Sequence, residues 1–205
     1  MGSIQYFPAV TNFELGGWFF TIGSAGFLVA DVWEWWYFRV GCAFDGEYYY
    51  PDRHKNFFDR AEVGLNFLFS AIGSALYLLG SIDFIPSLNE LVSGTWIFIY
   101  GSSVIFLSQL WKVLRTLKTD PVHGWDKSFK LSNATADLPA FGVDVCAGLG
   151  GLAYFIGSIL FLPQFDATEN AEFIAATVFV TGGSLFLSSG LFLAYRYFCT
   201  LNYPH

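Results

Sequence analysis

Residues Gly94–Lys118 read GTWIFIYGSSVIFLSQLWKVLRTLK. From Val92 to Leu110 the chain carries no charge; Trp111 follows, and then the bases Lys112, Arg115 and Lys118. About twenty apolar residues, rising about 1.5 Å each, span the hydrocarbon core of a bilayer. Trp and cationic side chains are what the headgroup layer favours at the end of such a rod. The stretch therefore reads as a membrane helix. At its centre Gly101-Ser102-Ser103 lies between Trp96 and Phe98 on one side and Phe106-Leu107 on the other. Small residues between aromatics recur along the chain. They point to an all-α fold, a polytopic membrane helix bundle.

Composition agrees. The 205 residues are 54% hydrophobic, 20% aromatic and only 13% charged. Soluble domains carry roughly 25% charged residues, so a soluble surface of this size has too little charge to cover it. The formal net charge of -7 excludes nucleic acid as an expected partner, because phosphate backbones are bound by basic surfaces. The N-terminal residues MGSIQYFPAVTNFE contain no Lys or Arg, so no removable presequence is expected there. Tyr6 stands where a myristoylation signal wants Ser or Thr.

Four further apolar stretches predict spans at Leu15–Phe38, Val63–Ile82, Phe141–Leu162 and Ala171–Phe198. Asp83-Phe84-Ile85-Pro86-Ser87 and the stretch after Pro163 read as short turns, since Pro cannot continue a helix. Gly41–Arg60 reads as an ordered polar and aromatic loop, and Thr119–Pro139 as the longest polar connection. Four units follow. Residues 1–60 form a leading helix with its connection, 61–118 a first helical hairpin, 119–140 a loop, and 141–205 a second hairpin.

The bases test the threading independently. Arg39, Arg53, Lys55 and Arg60 follow the first span, and Lys112, Arg115, Lys118, Lys127 and Lys130 follow the third. Arg196 ends the fifth, which completes the inventory of ten. The N-terminal segment and the turns after the second and fourth spans hold none, only acids such as Glu14, Asp83, Glu90, Asp166, Glu169 and Glu172. The bias predicts an outside N-terminus and a C-terminus on the cytoplasmic-type side. Cys42, Cys146 and Cys199 all fall near expected inner helix ends, lack metal spacing and read as small packing residues. The Asn133-Ala134-Thr135 sequon faces inward in this threading.

Lipid tails are as apolar as Leu, so membrane helices associate by close backbone approach and by hydrogen bonds. The expected packing positions are the small centres of the five spans: Gly23-Ser24, Gly73-Ser74, Gly101-Ser102, Gly157-Ser158 and Gly183-Ser184. FSAIGSALYL (Phe69–Leu78) aligns with FIYGSSVIFL (Phe98–Leu107), and YFIGSILFL (Tyr154–Leu162) with VTGGSLFLSSG (Val180–Gly190). This pattern resembles the YrhK-like domain, a two-helix membrane unit with an aromatic-x-x-Gly-Ser-x-x-Phe-Leu motif. The resemblance covers Val63–Leu117 and Phe141–Phe198, with the first span as an unpaired half. It implies a fold but carries over no functional residue.

Asp31 and Glu34 are candidates for an intramembrane charge site. They share one helix face at i and i+3, and an ionisable group within a span is a functional candidate by default. Their place among Trp33, Trp35 and Trp36 suggests the inner interface and ion pairing with Arg39, Lys112, Arg115 or Arg196. Asp144 is expected to start the fourth span and to favour its helix N-terminus. His54, His123 and His205 lie in connections or at the terminus, so no catalytic, metal or cofactor residue is assigned. No phosphate loop, His-Glu-x-x-His or Gly-x-Ser-x-Gly elbow is present. The expectation is a non-enzymatic structural or accessory subunit packing against other membrane subunits, lipids or pigments. The alternative is a small ion or solute transporter or channel using Asp31, Glu34 and Asp144 near the inner face.

Overall fold

A computed structural model describes residues 2–10, 12–44, 57–88, 90–120, 124–125, 128–165 and 168–200. Helix α1 spans Phe13–Phe44, α2 Phe57–Asp83, α3 Leu91–Lys118, α4 Leu131–Ala134, α5 Leu138–Leu160 and α6 Glu169–Tyr195. A short 3-10 helix, Gly2–Tyr6, precedes them. All but α4 contribute stretches long and apolar enough to cross a membrane, so the chain is an all-α integral membrane protein with five candidate spans. The centre of the expected Gly41–Arg60 loop, residues 45–56, lies outside the described residues.

The helix ends follow local chemistry. Asn12 Oδ1 accepts from the Leu15 amide at 3.1 Å and opens α1. Thr168 Oγ1 accepts from the Ala171 amide at 3.2 Å and opens α6, whose first turn carries Glu169 and Glu172. Asp137 caps α5 by accepting from the Ala140 amide at 3.1 Å, with Pro139 in the first turn. Asp144 is thus not at a helix start: the helix begins at Leu138, and Asp137 takes the role expected of Asp144. Residues 119–140 are not a plain loop. Thr119–Asp120 pairs antiparallel with Gly124–Trp125, and α4 is tied to α3 where Asn133 Nδ2 donates to the Leu117 carbonyl at 3.0 Å.

Helices α2 and α3 form one antiparallel hairpin and α5 and α6 another, with α3 against α5 and α1 against α2. The bases Lys112, Arg115, Lys118 and Arg196 share one end of the bundle, termed the basic end; Glu14, Asp83, Glu90 and Glu169 lie toward the other. Within each hairpin the backbones approach through glycine. A Cβ placed on Gly101 meets the Gly73 carbonyl at 3.2 Å, and one on Gly182 meets the Gly150 carbonyl at 3.2 Å. Aromatic rings fill the space between these contacts. Phe20, Tyr77, Phe98, Tyr154 and Phe179, from all five spans, form one buried cluster, and Tyr6 of the 3-10 helix joins it.

The two hairpins repeat one packing pattern, but not in the register the Gly-Ser centres suggest. Packing aligns Tyr77-x-x-Gly80-Ser81-x-x-Phe84-Ile85-Pro86 with Tyr154-x-x-Gly157-Ser158-x-x-Phe161-Leu162-Pro163. Gly157-Ser158 is the counterpart of Gly80-Ser81, not of Gly73-Ser74. A Cβ on Gly80 meets the Phe98 ring at 2.6 Å, and one on Gly157 meets the Phe179 ring at 2.5 Å. Phe84 is edge-on to Phe98 at 5.1 Å, and Phe161 to Phe179 at 5.2 Å. Ser108 Oγ reaches the Asn66 carbonyl at 3.4 Å, and Ser189 Oγ the Val143 carbonyl at 3.0 Å. The seven-residue slip has a simple cause. Residues seven apart face nearly the same way on a helix, so Gly73 and Gly80 line one face and only the ring packed on each tells them apart.

Candidate functional site

Asp31 is half-buried and stands level with the middle of α2, not at the basic end of the bundle. Helix α1 runs on past the expected Phe38 to Phe44, which leaves Asp31 well inside it. Ser74 Oγ donates to Asp31 Oδ2, and Ser74 stands midway along the Gly64–Asp83 span. The deeper position arises because α1 pairs with α2 along most of its length, and the Ser24–Ser81 contact fixes the register at 2.9 Å. Arg196, one expected partner of Asp31, pairs with Asp137 at 2.8 Å. Lys112 lies over the Phe67 ring at 5.5 Å. The side chains of Glu34, Arg39 and Cys42 lie outside the described residues. Asp144 is half-buried in α5.

Polar groups continue along α2. Asn66, Ser70, Ser74, Tyr77 and Ser81 recur at helical spacing, and each is buried. Ser81 Oγ donates to the Tyr77 carbonyl at 2.6 Å while meeting Ser24. Asn66 Nδ2 donates to the Ser108 carbonyl at 3.0 Å. The Tyr77 hydroxyl faces Ser102, yet neither side-chain oxygen makes a hydrogen bond among the described residues. Gln109 Oε1, two turns along the same face of α3 as Ser102, is likewise buried without a partner among the described residues. Of this row the Gly-Ser centres marked Ser74 as a packing position, but not the polar line that continues through Asn66, Tyr77 and Ser81. The signal was present in α2, where Asn66, Ser70, Ser74 and Ser81 follow a 3.6-residue period.

The other expected packing residues divide into two groups. Gly73, Gly101 and Gly157 meet the backbone or side chains of neighbouring helices, and Ser24, Ser102 and Ser158 are buried. Gly183 lies beside the Tyr154 hydroxyl, where a Cβ would stand 3.3 Å away, and beside Ser3. Gly23 faces open space, as does Gly26 one turn on. Ser184 is exposed and donates to the Val180 carbonyl of its own helix at 2.9 Å. Among the described residues no three His, Cys, Asp or Glu side chains gather as metal ligands. Cys146 and Cys199 are free thiols. Outside the spans, burial raises the Tyr6 phenol well above the ordinary tyrosine range.

No family model, curated protein or solved structure matches the chain.

Proposed function

We propose that this protein is a non-enzymatic scaffold or accessory subunit whose outer helices receive other membrane subunits and lipids. The outward face of α6 carries the reading. Thr177, Thr181 and Ser184 are exposed along one side of that helix, and each hydroxyl donates to a carbonyl of its own helix at 2.8–2.9 Å. Lipid has no use for a hydroxyl row, whereas a second helix can approach it closely and share its hydrogen bonds. Helix α1 adds the open Gly23 and Gly26 beside exposed Ile22, Val29 and Trp33. Only 22% of the most apolar stretch of α1 and of α6 is buried within the chain, against 39–44% for the other three spans. The least covered helices thus carry small and hydroxyl side chains on their uncovered sides.

In this reading the two hairpins are YrhK-like units, a proposal supported by their shared Tyr-x-x-Gly-Ser-x-x-Phe motif. The basic end is cytoplasmic and the N-terminus outside, which the one-sided bases support. Gentle extraction and native mass analysis test the function. The expected result is a stoichiometric membrane-protein partner that is lost when Thr177, Thr181 and Ser184 become Leu; a monomer with lipid alone overturns it. A transporter is the second reading, favoured by the depth of Asp31. Liposomes carrying wild type or Asp31→Asn separate the two: solute flux that needs Asp31 supports transport.

A further inference from the structure

The two hairpins supply an internal comparison. At the α5 positions matching Asn66, Ser70 and Ser74 stand Val143, Ala147 and Gly151. Both hairpins nevertheless make the same glycine contacts and the same ring contacts. Hairpin packing therefore does not require polar side chains at these three positions. Their burial is costly in a lipid-embedded bundle unless hydrogen bonds compensate it. In α2 they lead from the basic end to Ser74, which holds Asp31.

We propose that Asp31 is a half-buried proton-binding site within the bundle, reached from the basic end along the polar face of α2 and α3. The geometry favours a proton over a larger cation. Asp31 meets a hydroxyl donor, and no three ligating side chains converge among the described residues. The oxygens of Tyr77, Ser102 and Gln109, buried and without hydrogen-bond partners among the described residues, are suited to hold water beside this route. Toward the opposite end the route stops at the packed rings of Tyr6, Phe84 and Phe98. The site therefore takes up and returns a proton on one side: a carboxylate O–H bond forms as a water-borne proton arrives and breaks as it leaves, with no redox change. The charged groups on the elements around it gather toward the basic end: Arg39 on α1, Asp59, Arg60 and Glu62 at the start of α2, and Lys112, Arg115 and Lys118 at the end of α3. Glu34 lies three residues along α1, and Tyr6, Tyr77 and Tyr154 face the core. The sequence has no charge in α2 between Gly64 and Ile82, none in α3 between Leu91 and Trp111, only Asp144 in α5, and none in α6 from Phe173 to Tyr195. This inference does not depend on the scaffold reading.

Infrared difference spectra of the full chain in phospholipid nanodiscs test it, titrated between about pH 4 and about pH 9 so as to bracket carboxyl titration. The expected result is a protonated-carboxyl C=O band that grows on acidification, vanishes in Asp31→Asn and persists in Glu34→Gln. Ser74→Ala shifts the band, because it removes a hydrogen bond. The double variant Asn66→Val, Ser70→Ala copies α5, and it slows deuterium exchange into the band several-fold while the thermal melt stays unchanged. If Asp31→Asn misassembles, Asp31→Glu takes its place and must move the band in frequency. A band indifferent to Asp31, or exchange at the wild-type rate in the double variant, overturns the proposal.

Discussion

The ring of Tyr77 lies over that of Phe98 with centroids 5.0 Å apart and planes 25° apart, and Tyr154 lies over Phe179 at 5.0 Å and 28°. One geometry thus occurs twice, once in each hairpin. In both places a glycine lies under the second ring, because any side chain there would enter the ring's volume.

This relationship predicts asymmetric costs for added methyl groups. Gly80→Ala and Gly157→Ala push against the rings of Phe98 and Phe179 and should each destabilise by about 1–3 kcal/mol, the usual range for overpacking. Gly23→Ala meets open space and should be neutral or slightly stabilising, by up to about 1 kcal/mol from helix propensity. Thermal melts in one detergent decide the ordering, and equal losses at all three sites contradict it.

The Ser24–Ser81 contact joins α1 to α2 at 2.9 Å. A double-mutant cycle through Ser24→Ala and Ser81→Ala should return a coupling of about 0.6 kcal/mol, the average for hydrogen bonds between membrane helices. Ser81 also bonds to the Tyr77 carbonyl, so its single variant should cost more than that of Ser24. Unfolding titrations of the four proteins measure both quantities.

Asp137 has two tasks that mutation can separate. It caps α5 through Oδ1, and it receives Arg196 through Oδ2 at 2.8 Å. Asp137→Ala should cost about 1–2 kcal/mol, chiefly the cap. Asp137→Asn keeps a capping oxygen and should recover most of the loss, because half-exposed ion pairs contribute little. Stability measured at low and high salt checks the division: the Ala-to-Asn difference should hardly change.

Tyr6 predicts an alkaline weakness. Its phenol is buried and held above the ordinary tyrosine value of about 10. The folded chain therefore keeps this proton at a pH where the unfolded chain has lost it. Stability from this source is complete below the ordinary value and falls as pH rises through it. Tyr6→Phe removes that part of the slope. At neutral pH it should be neutral or stabilising by about 1 kcal/mol, since the hydroxyl makes no hydrogen bond among the described residues. Melts at neutral and alkaline pH report both effects.

The threading yields a labelling prediction. Lys55 and Lys127 should react from the same face of sealed vesicles, and a cysteine placed at Glu90 should react from the other. Labelling of the two lysines from opposite faces contradicts the five-span reading.

The order, number and approximate limits of the spans could be read along the chain, because twenty apolar residues ended by Trp and Lys have few other stable environments. Local capping by Asn12, Asp137 and Thr168 is equally a property of neighbouring residues. Which glycine lies under which ring was not readable in this way. Gly73 and Gly80 lie on one helix face, and only contact with Phe98 distinguishes Gly80. The depth of Asp31 depended likewise on how far α1 slides along α2, a register that Ser24–Ser81 and Asp31–Ser74 set across 57 and 43 residues of chain. Composition and periodicity specify what one helix does in lipid. The offset between two helices is a relation between surfaces, so it was decided only when those surfaces met.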